Sequence, residues 1–240
     1  TLLMSAWVKG RERVTVQIQA ESPRFAFTAD ADSEAGLRAR FTPHRLPRLQ
    51  KRGPSELHGL LHAIRSDVKK EIYRGITALD GRSLADALAA HLRDSEQIEG
   101  VLRIGVELDD DGRITFAGGL LVERLPEHAE LPWLTPADFA DRYGGVAEQE
   151  VPDLLVALAF GKIANQEVEV LESRKAHWRC DCSMARIEAV LLQLGVGELT
   201  AMLQEDGQAE VTCHFCNLPY LVGPERLREL ISMHQPVGDA

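Results

Sequence analysis

Apolar and polar residues alternate near the start of the chain, and this alternation predicts a β-strand. Val14, Val16 and Ile18 are separated by single threonine and glutamine residues, the period-two pattern of a strand with one buried and one wetted face. Phe25 and Phe27 continue the pattern beyond a proline. We therefore expect an early strand whose apolar face belongs to a domain core.

A helical pattern follows further along the chain. Ser83 precedes Asp86 by three positions, and a serine hydroxyl with an acidic residue at this spacing is typical of a helix N-terminus. Four apolar residues then fall on one helical face: Leu84, Ala87, Leu88 and Leu92. The prediction is a helix that begins after Ser83 and buries this stripe.

Two more strands are predicted at residues 101–108 and 114–122, joined by an acidic turn at residues 109–112. Together with the early strand and the helix, they indicate an α+β molecule. Its N-terminal mixed α/β core domain occupies residues 1–128.

The pattern of the sequence changes after this domain. Prolines divide residues 129–178 into short segments, and a strongly apolar run covers residues 154–160. We interpret residues 129–178 as a helical linker between two domains.

The last part of the chain, residues 179–240, has the pattern of a small domain. Ser183 predicts the start of a helix that ends at Gly195. A second helix at residues 199–204, a strand that carries Val211 and a final helix are expected to follow.

Charge and length exclude several classes of protein. The chain has 240 residues and a formal net charge of −10, and no apolar run reaches the roughly 18 residues that span a bilayer. We expect a soluble cytoplasmic protein with no membrane partner. The acidic charge also argues against a specific nucleic-acid partner, because such proteins gain affinity from Lys and Arg.

The cysteines carry the strongest chemical signal. All four lie in the last quarter of the chain, Cys180 and Cys182 as C-x-C and Cys213 and Cys216 as C-x-x-C. Two close pairs predict a tetrahedral site of four thiolates, which suits zinc. Two structural disulfides or unrelated buried thiols are the alternatives, and a reducing compartment and the clustering disfavour them.

Two histidines lie beside these pairs. His177 and His214 are available as ligands, but four thiolates already complete a zinc shell. Zinc would supply much of the folding free energy of so small a domain, and oxidants that attack thiolates would remove its ligands.

At these residues the chain resembles the redox-regulated chaperones of the heat-shock protein 33 family. The segments CDCSMARIEAVLLQLG and LQEDGQAEVTCHFCNLPY are similar to the family's zinc domain. VTVQIQAESP, EIYRGITALDGRSLADALAAHLRDSEQI and AGGLLVERLP resemble its core domain. The chain begins at Thr1 within what resembles an early helix of that core, so we expect a further segment before it.

The resemblance implies an ATP-independent holdase rather than an enzyme. Its four cysteines correspond to Cys180, Cys182, Cys213 and Cys216, which would bind one Zn²⁺ per chain in the reduced form. Oxidation would release the zinc, unfold the linker of residues 129–178 with the zinc domain, and let the protein bind unfolding clients, with activation linked to homodimerisation.

Three disulfide connectivities are possible in the oxidised form. Pairing of Cys180 with Cys182 and of Cys213 with Cys216 needs the least chain movement. We expect the reduced zinc domain and linker to cover apolar surface on the core, including strand faces within residues 14–27, and oxidation to uncover it.

Two other functions remain open. A thiol-disulfide oxidoreductase would use Cys213 and Cys216 as its redox pair, although no βαβ pattern surrounds them. A zinc-stapled adaptor module would use the metal for folding alone, although the chain lacks aromatic residues interleaved with basic ones. We find no motif of a hydrolase or metalloprotease.

Overall fold

The computed structural model describes residues 1–22, 24–42, 56–68, 70–123 and 170–234. The chain divides into two compact units, Thr1–His177 and Trp178–Ala240. Residues 129–169 of the predicted linker lie outside the described residues, and so does the apolar run at residues 154–160.

The N-terminal unit is built on an antiparallel sheet. The elements of this unit are a 3₁₀ helix at Leu3–Trp7, β1 Arg13–Ser22, β2 Arg24–Asp32, β3 Gly36–Thr42, β4 His58–Ser66, β5 Glu71–Ala78, α1 Leu84–Ser95, β6 Gly100–Leu108, β7 Ile114–Glu123 and β8 His177–Trp178. The hydrogen-bonded order of the main strands is β5–β4–β1–β2–β3, and the short β8 lies beyond β3, where the N–H of His177 donates to the carbonyl of Ala35.

The early strand is confirmed as β1, and its apolar face lies in the core. Val14, Val16 and Ile18 are between 2% and 4% exposed, and they share one cluster with Leu88 and Leu92 of α1. The apolar side chains of β1 pack within the N-terminal unit, and the expectation that the zinc domain and linker cover strand faces within residues 14–27 stays a prediction, because residues 129–169 of the linker lie outside the described residues.

Helix α1 begins where the sequence predicts. The Ser83 hydroxyl accepts a hydrogen bond from the backbone N–H of Asp86, which satisfies one of the free donors of the first turn. On the buried face, His91 Nδ1 lies 2.9 Å from Thr77 Oγ1 of β5. A Cβ atom at Gly75 would lie 2.3 Å from His91 Cε1, so β5 accepts the imidazole only because this position is glycine.

Strands β6 and β7 form a separate two-stranded hairpin, in agreement with the predicted strand pair and turn. Leu102 at its base is buried. Further along the same face of β6, Ile104, Val106 and Leu108 are 42% to 57% exposed, and Ile114 opposite Leu108 is 67% exposed. The hairpin thus presents an apolar face, which we call the hairpin patch (Ile104, Val106, Leu108, Ile114).

The C-terminal unit is a small α+β arrangement. Its elements are α2 Met184–Leu194, α3 Val196–Glu205, β9 Ala209–Thr212, β10 Pro219–Val222 and α4 Pro224–His234. Seven residues form its buried cluster: Ile187, Leu191, Leu199, Ala209, Val222, Leu227 and Leu230. Gly195 has a φ of 86°, a left-handed value that glycine adopts without steric cost and that separates α2 from α3. The expected fold class, α+β, is confirmed.

Within the described residues, no single helix is long and apolar enough to cross a membrane. Helices α2 and α3 meet the length and composition limits only as a pair, and they are bent by 109°.

Candidate metal centre

The C-x-C pair lies directly before helix α2. The Ser183 side chain accepts a hydrogen bond from the backbone N–H of Arg186 at 3.3 Å, so the predicted N-cap is confirmed. This cap fixes the start of the helix relative to Cys180 and Cys182. Both cysteines therefore lie in the segment directly before the N-terminus of α2.

The C-x-x-C pair lies on the turn between β9 and β10. The N–H of Cys213 donates to the carbonyl of Leu218, and the N–H of Asn217 donates to the carbonyl of Cys213, both at 2.9 Å. Asn217 has a φ of 57°, a left-handed conformation that asparagine tolerates better than most residues. These bonds close the turn so that both thiols face the same side.

The two pairs meet in space. Cys180 Sγ lies 3.6 Å from Cys213 Sγ, and Cys182 Sγ lies 3.3 Å from Cys216 Sγ. All four sulfurs lie within 4.8 Å of one another, and all four residues are half-buried free thiols. A tetrahedral zinc ion with bonds of about 2.3 Å places its sulfurs about 3.8 Å apart, so the four cysteines lie close enough to hold such an ion.

The thiols influence each other strongly. Burial raises the pKa of Cys213, but backbone N–H groups of Cys216 and Phe215, with the thiols of Cys216 and Cys180, outweigh it and lower the value to about 6. The N–H of Leu218 lowers the pKa of Cys216, but burial and the neighbouring thiols raise it to about 12.

The neighbouring thiols also affect the pKa of Cys180. Burial raises the pKa of Cys180, and the Cys182 and Cys213 thiols add to this effect. A first thiolate therefore opposes ionisation of its neighbours, since like charges at this distance repel. Only a cation at the centre allows all four sulfurs to be thiolates, and soft thiolate donors suit zinc.

Tyr220 is a contact that sequence reasoning missed. Its hydroxyl donates a hydrogen bond to Cys182 Sγ at 3.0 Å, and this bond, with burial and the nearby cysteine charges, raises the pKa of Tyr220 to about 12. The residue follows the last cysteine by four positions, but no spacing rule indicates that a strand residue reaches back to the other cysteine pair.

The two neighbouring histidines are not part of the cluster. Among the described residues, the group that could hold a metal consists of the four cysteines. The side chains of His177 and His214 are exposed, and the expectation that the thiols alone complete the zinc shell stays a prediction.

The comparisons with known proteins agree in one family. The family model described as Hsp33 protein matches residues 1–222. A 33 kDa chaperonin of Bacillus velezensis is 29% identical over 237 residues, which cover 96% of this chain and 81% of the relative. A 33 kDa chaperonin of Pelobacter propionicus is 31% identical over 244 residues, which cover 95% of this chain and 77% of the relative.

A solved structure is similar as well. The crystal structure of the 33 kDa chaperonin of Thermotoga maritima matches with a TM-score of 0.78 and 26% identity, covering 97% of this chain and 81% of the other. Its name and those of the relatives denote chaperones rather than enzymes. With the family model matched over residues 1–222 and a four-thiol cluster suited to zinc and to redox regulation, the chain belongs to the Hsp33 family of chaperones.

Proposed function

We propose that this protein is a redox-regulated, ATP-independent holdase whose switch is a zinc ion bound by Cys180, Cys182, Cys213 and Cys216. The observation that carries the proposal is the convergence of these four thiols in the small C-terminal unit of an Hsp33-family chain. Zinc on these sulfurs in the reduced form keeps the chaperone inactive.

The metal has a clear structural task in this unit. In the described part of this unit, seven residues form the buried apolar cluster, a small core for a free-standing unit. The four thiols join the segment before α2 to the turn between β9 and β10. A structural zinc site contributes on the order of 10 kcal/mol to folding, so loss of zinc unfolds the C-terminal unit together with the linker proposed for residues 129–178.

Oxidation removes the ligands in a balanced reaction. Two thiols give two electrons and two protons to one molecule of hydrogen peroxide, an S–S bond forms, and two molecules of water leave. We propose Cys180–Cys182 and Cys213–Cys216 as the products. The closest sulfurs of the folded site belong to the other pairing, Cys180 with Cys213 and Cys182 with Cys216, so the proposed products require the site to open during oxidation.

The chaperone function requires apolar surface that can contact unfolded chains. The hairpin patch of the N-terminal unit offers four large apolar side chains that are each more than 40% exposed. Contiguous apolar surface of this kind binds other proteins. We propose that unfolding client proteins bind here, and that the activated form acts as a homodimer in the cytoplasm without a specific nucleic acid.

Replacement of single cysteines tests the proposal. Cys180→Ser and Cys213→Ser remove one thiolate each, so we expect both variants to lose most of their zinc and to suppress aggregation of a heat-unfolded client without prior oxidation. His177→Ala and His214→Ala are the matched controls, and they should keep one zinc per chain. Cysteine variants that keep full zinc and stay inactive until oxidised would contradict the ligand assignment.

One observation favours a second candidate function. The pKa of Cys213 is lowered to about 6, a value found at nucleophilic cysteines of thiol-disulfide oxidoreductases. Such an enzyme would reduce insulin disulfides with turnover in the presence of a thiol reductant. A holdase that follows the mechanism above would show no turnover in this assay.

A further inference from the structure

The position of Tyr220 is fixed by its surroundings. On β10 it lies opposite Val211 of β9, and its ring packs against the buried cluster of the C-terminal unit. Strand register and ring packing therefore decide where the hydroxyl points. It reaches across to the other cysteine pair and donates to Cys182 Sγ at 3.0 Å.

This hydrogen bond differs in its donor from the backbone hydrogen bonds at the site. Backbone N–H groups of Cys216 and Leu218 donate to the sulfurs of Cys213 and Cys216, and a change of side chain other than to proline leaves these donors in place. The donor to Cys182 is a side chain, and replacing tyrosine by phenylalanine removes only its hydroxyl. The ring and its packing stay in place.

We propose that Tyr220 is a positioning residue of the metal centre, whose hydroxyl holds the Cys182 sulfur in place, tightens zinc binding and slows attack of peroxide on that sulfur. The inference rests on the proposed function, because it concerns the same four thiols. A hydrogen bond to a ligand sulfur withdraws electron density from its lone pairs. Partners of this kind commonly change metal affinity by about 10- to 100-fold.

The effect on oxidation follows from the chemistry of the first step. The Cys182 thiolate attacks one oxygen of hydrogen peroxide, an S–O bond forms, the O–O bond breaks, and the hydroxide that leaves takes a proton from the acid form of the buffer to become water. A second thiol then attacks the sulfenic acid, an S–S bond forms, and water leaves. The first step uses a sulfur lone pair, so a donor bound to that lone pair slows it.

The test compares the full chain with its Tyr220→Phe variant, both loaded with zinc. We expect the variant to bind zinc about tenfold more weakly in competition with a chelator. It should also release zinc to hydrogen peroxide about threefold faster, or more, because the unbonded sulfur is the stronger nucleophile. Tyr73→Phe is the matched control, since it removes a hydroxyl that donates to the carbonyl of Ser95 in the N-terminal unit.

An absorption spectrum distinguishes an electronic effect of the Tyr220 hydroxyl on the Cys182 sulfur from a change in packing. In protein loaded with Co²⁺ instead of zinc, the thiolate-to-metal charge-transfer band should move to longer wavelength in Tyr220→Phe and stay unchanged in Tyr73→Phe. Equal zinc affinity, equal release rates and an unchanged band would overturn this inference alone. A wild-type chain that binds no zinc would overturn the proposed function and this inference with it.

Discussion

At the scale of single residues, Cys180, Cys213 and Cys216 differ in how readily they ionise. Cys213 has a pKa near 6, whereas the pKa of Cys216 is near 12 and that of Cys180 is raised above its usual value. At pH 7 and without metal, Cys213 is therefore mostly a thiolate while Cys180 and Cys216 keep their protons. Zinc must displace these protons to bind all four sulfurs.

This difference predicts proton release on metal binding. Zinc binding at pH 7 should release two or more protons per chain, at least those of Cys180 and Cys216. Titration calorimetry in buffers of different ionisation enthalpy measures the number. Because protons compete with zinc for the sulfurs, the affinity should fall as the pH is lowered. A binding enthalpy that does not depend on the buffer would contradict this prediction.

Sequence reasoning at this scale identified the four cysteines but not their environment. The two close pairs of cysteines can be recognised directly in the sequence, because the spacing of residues within each pair is a local property of the chain. The hydroxyl of Tyr220 meets Cys182 only because two strands and a helix bring together residues 38 positions apart. Contacts of this range depend on packing, which the linear pattern does not contain.

At the scale of elements, the predictable parts were those whose pattern is regular. The cap at Ser83 and the apolar stripe after it specify α1, and the alternation from Val14 specifies β1. Strand β5 could not be predicted, because its large apolar residues lie on the exposed face of the strand. Ile72 and Ile76 are exposed, while Gly75 is buried and leaves room for the imidazole of His91. A buried polar contact of this kind replaces the apolar face that sequence patterns detect.

The hairpin patch carries a prediction of its own. Val106→Asp places a charge in the middle of the patch, and we expect it to weaken client binding roughly tenfold, which corresponds to about 1.4 kcal/mol of lost apolar contact. Val106 is 57% exposed, so the fold should tolerate the change. The assay is the chaperone concentration that half-suppresses aggregation of a client by the oxidised protein.

The control for this variant lies on the same hairpin. Thr115→Asp adds the same charge at an exposed polar position of β7 and should leave the half-suppressing concentration unchanged. If Val106→Asp also left it unchanged, the clients would bind elsewhere on the chain.

At the scale of the whole molecule, the two units have different sources of stability. Among the described residues, the N-terminal unit has a cluster of 14 buried apolar residues. The C-terminal unit has half as many, seven, and gathers four thiols instead. Under the proposed function, the N-terminal unit keeps its fold during oxidation, whereas the fold of the C-terminal unit depends on the metal.

The sequence alone could indicate this division, because all four cysteines lie in the last quarter of the chain. It could not indicate the client surface, however. The apolar alternation near Val14 is typical of both a core strand and a covered binding face, and the packing of α1 against it shows that these side chains belong to the core.

The central claim is that loss of zinc and gain of chaperone activity are one event. The most direct measurement follows zinc release and suppression of client aggregation in the same sample during peroxide treatment at mildly elevated temperature. The account predicts that one zinc per chain leaves as the activity appears, and that a reductant with added zinc reverses both. Zinc retained through oxidation with no change in aggregation would contradict it, and the four cysteines would then be a structural staple.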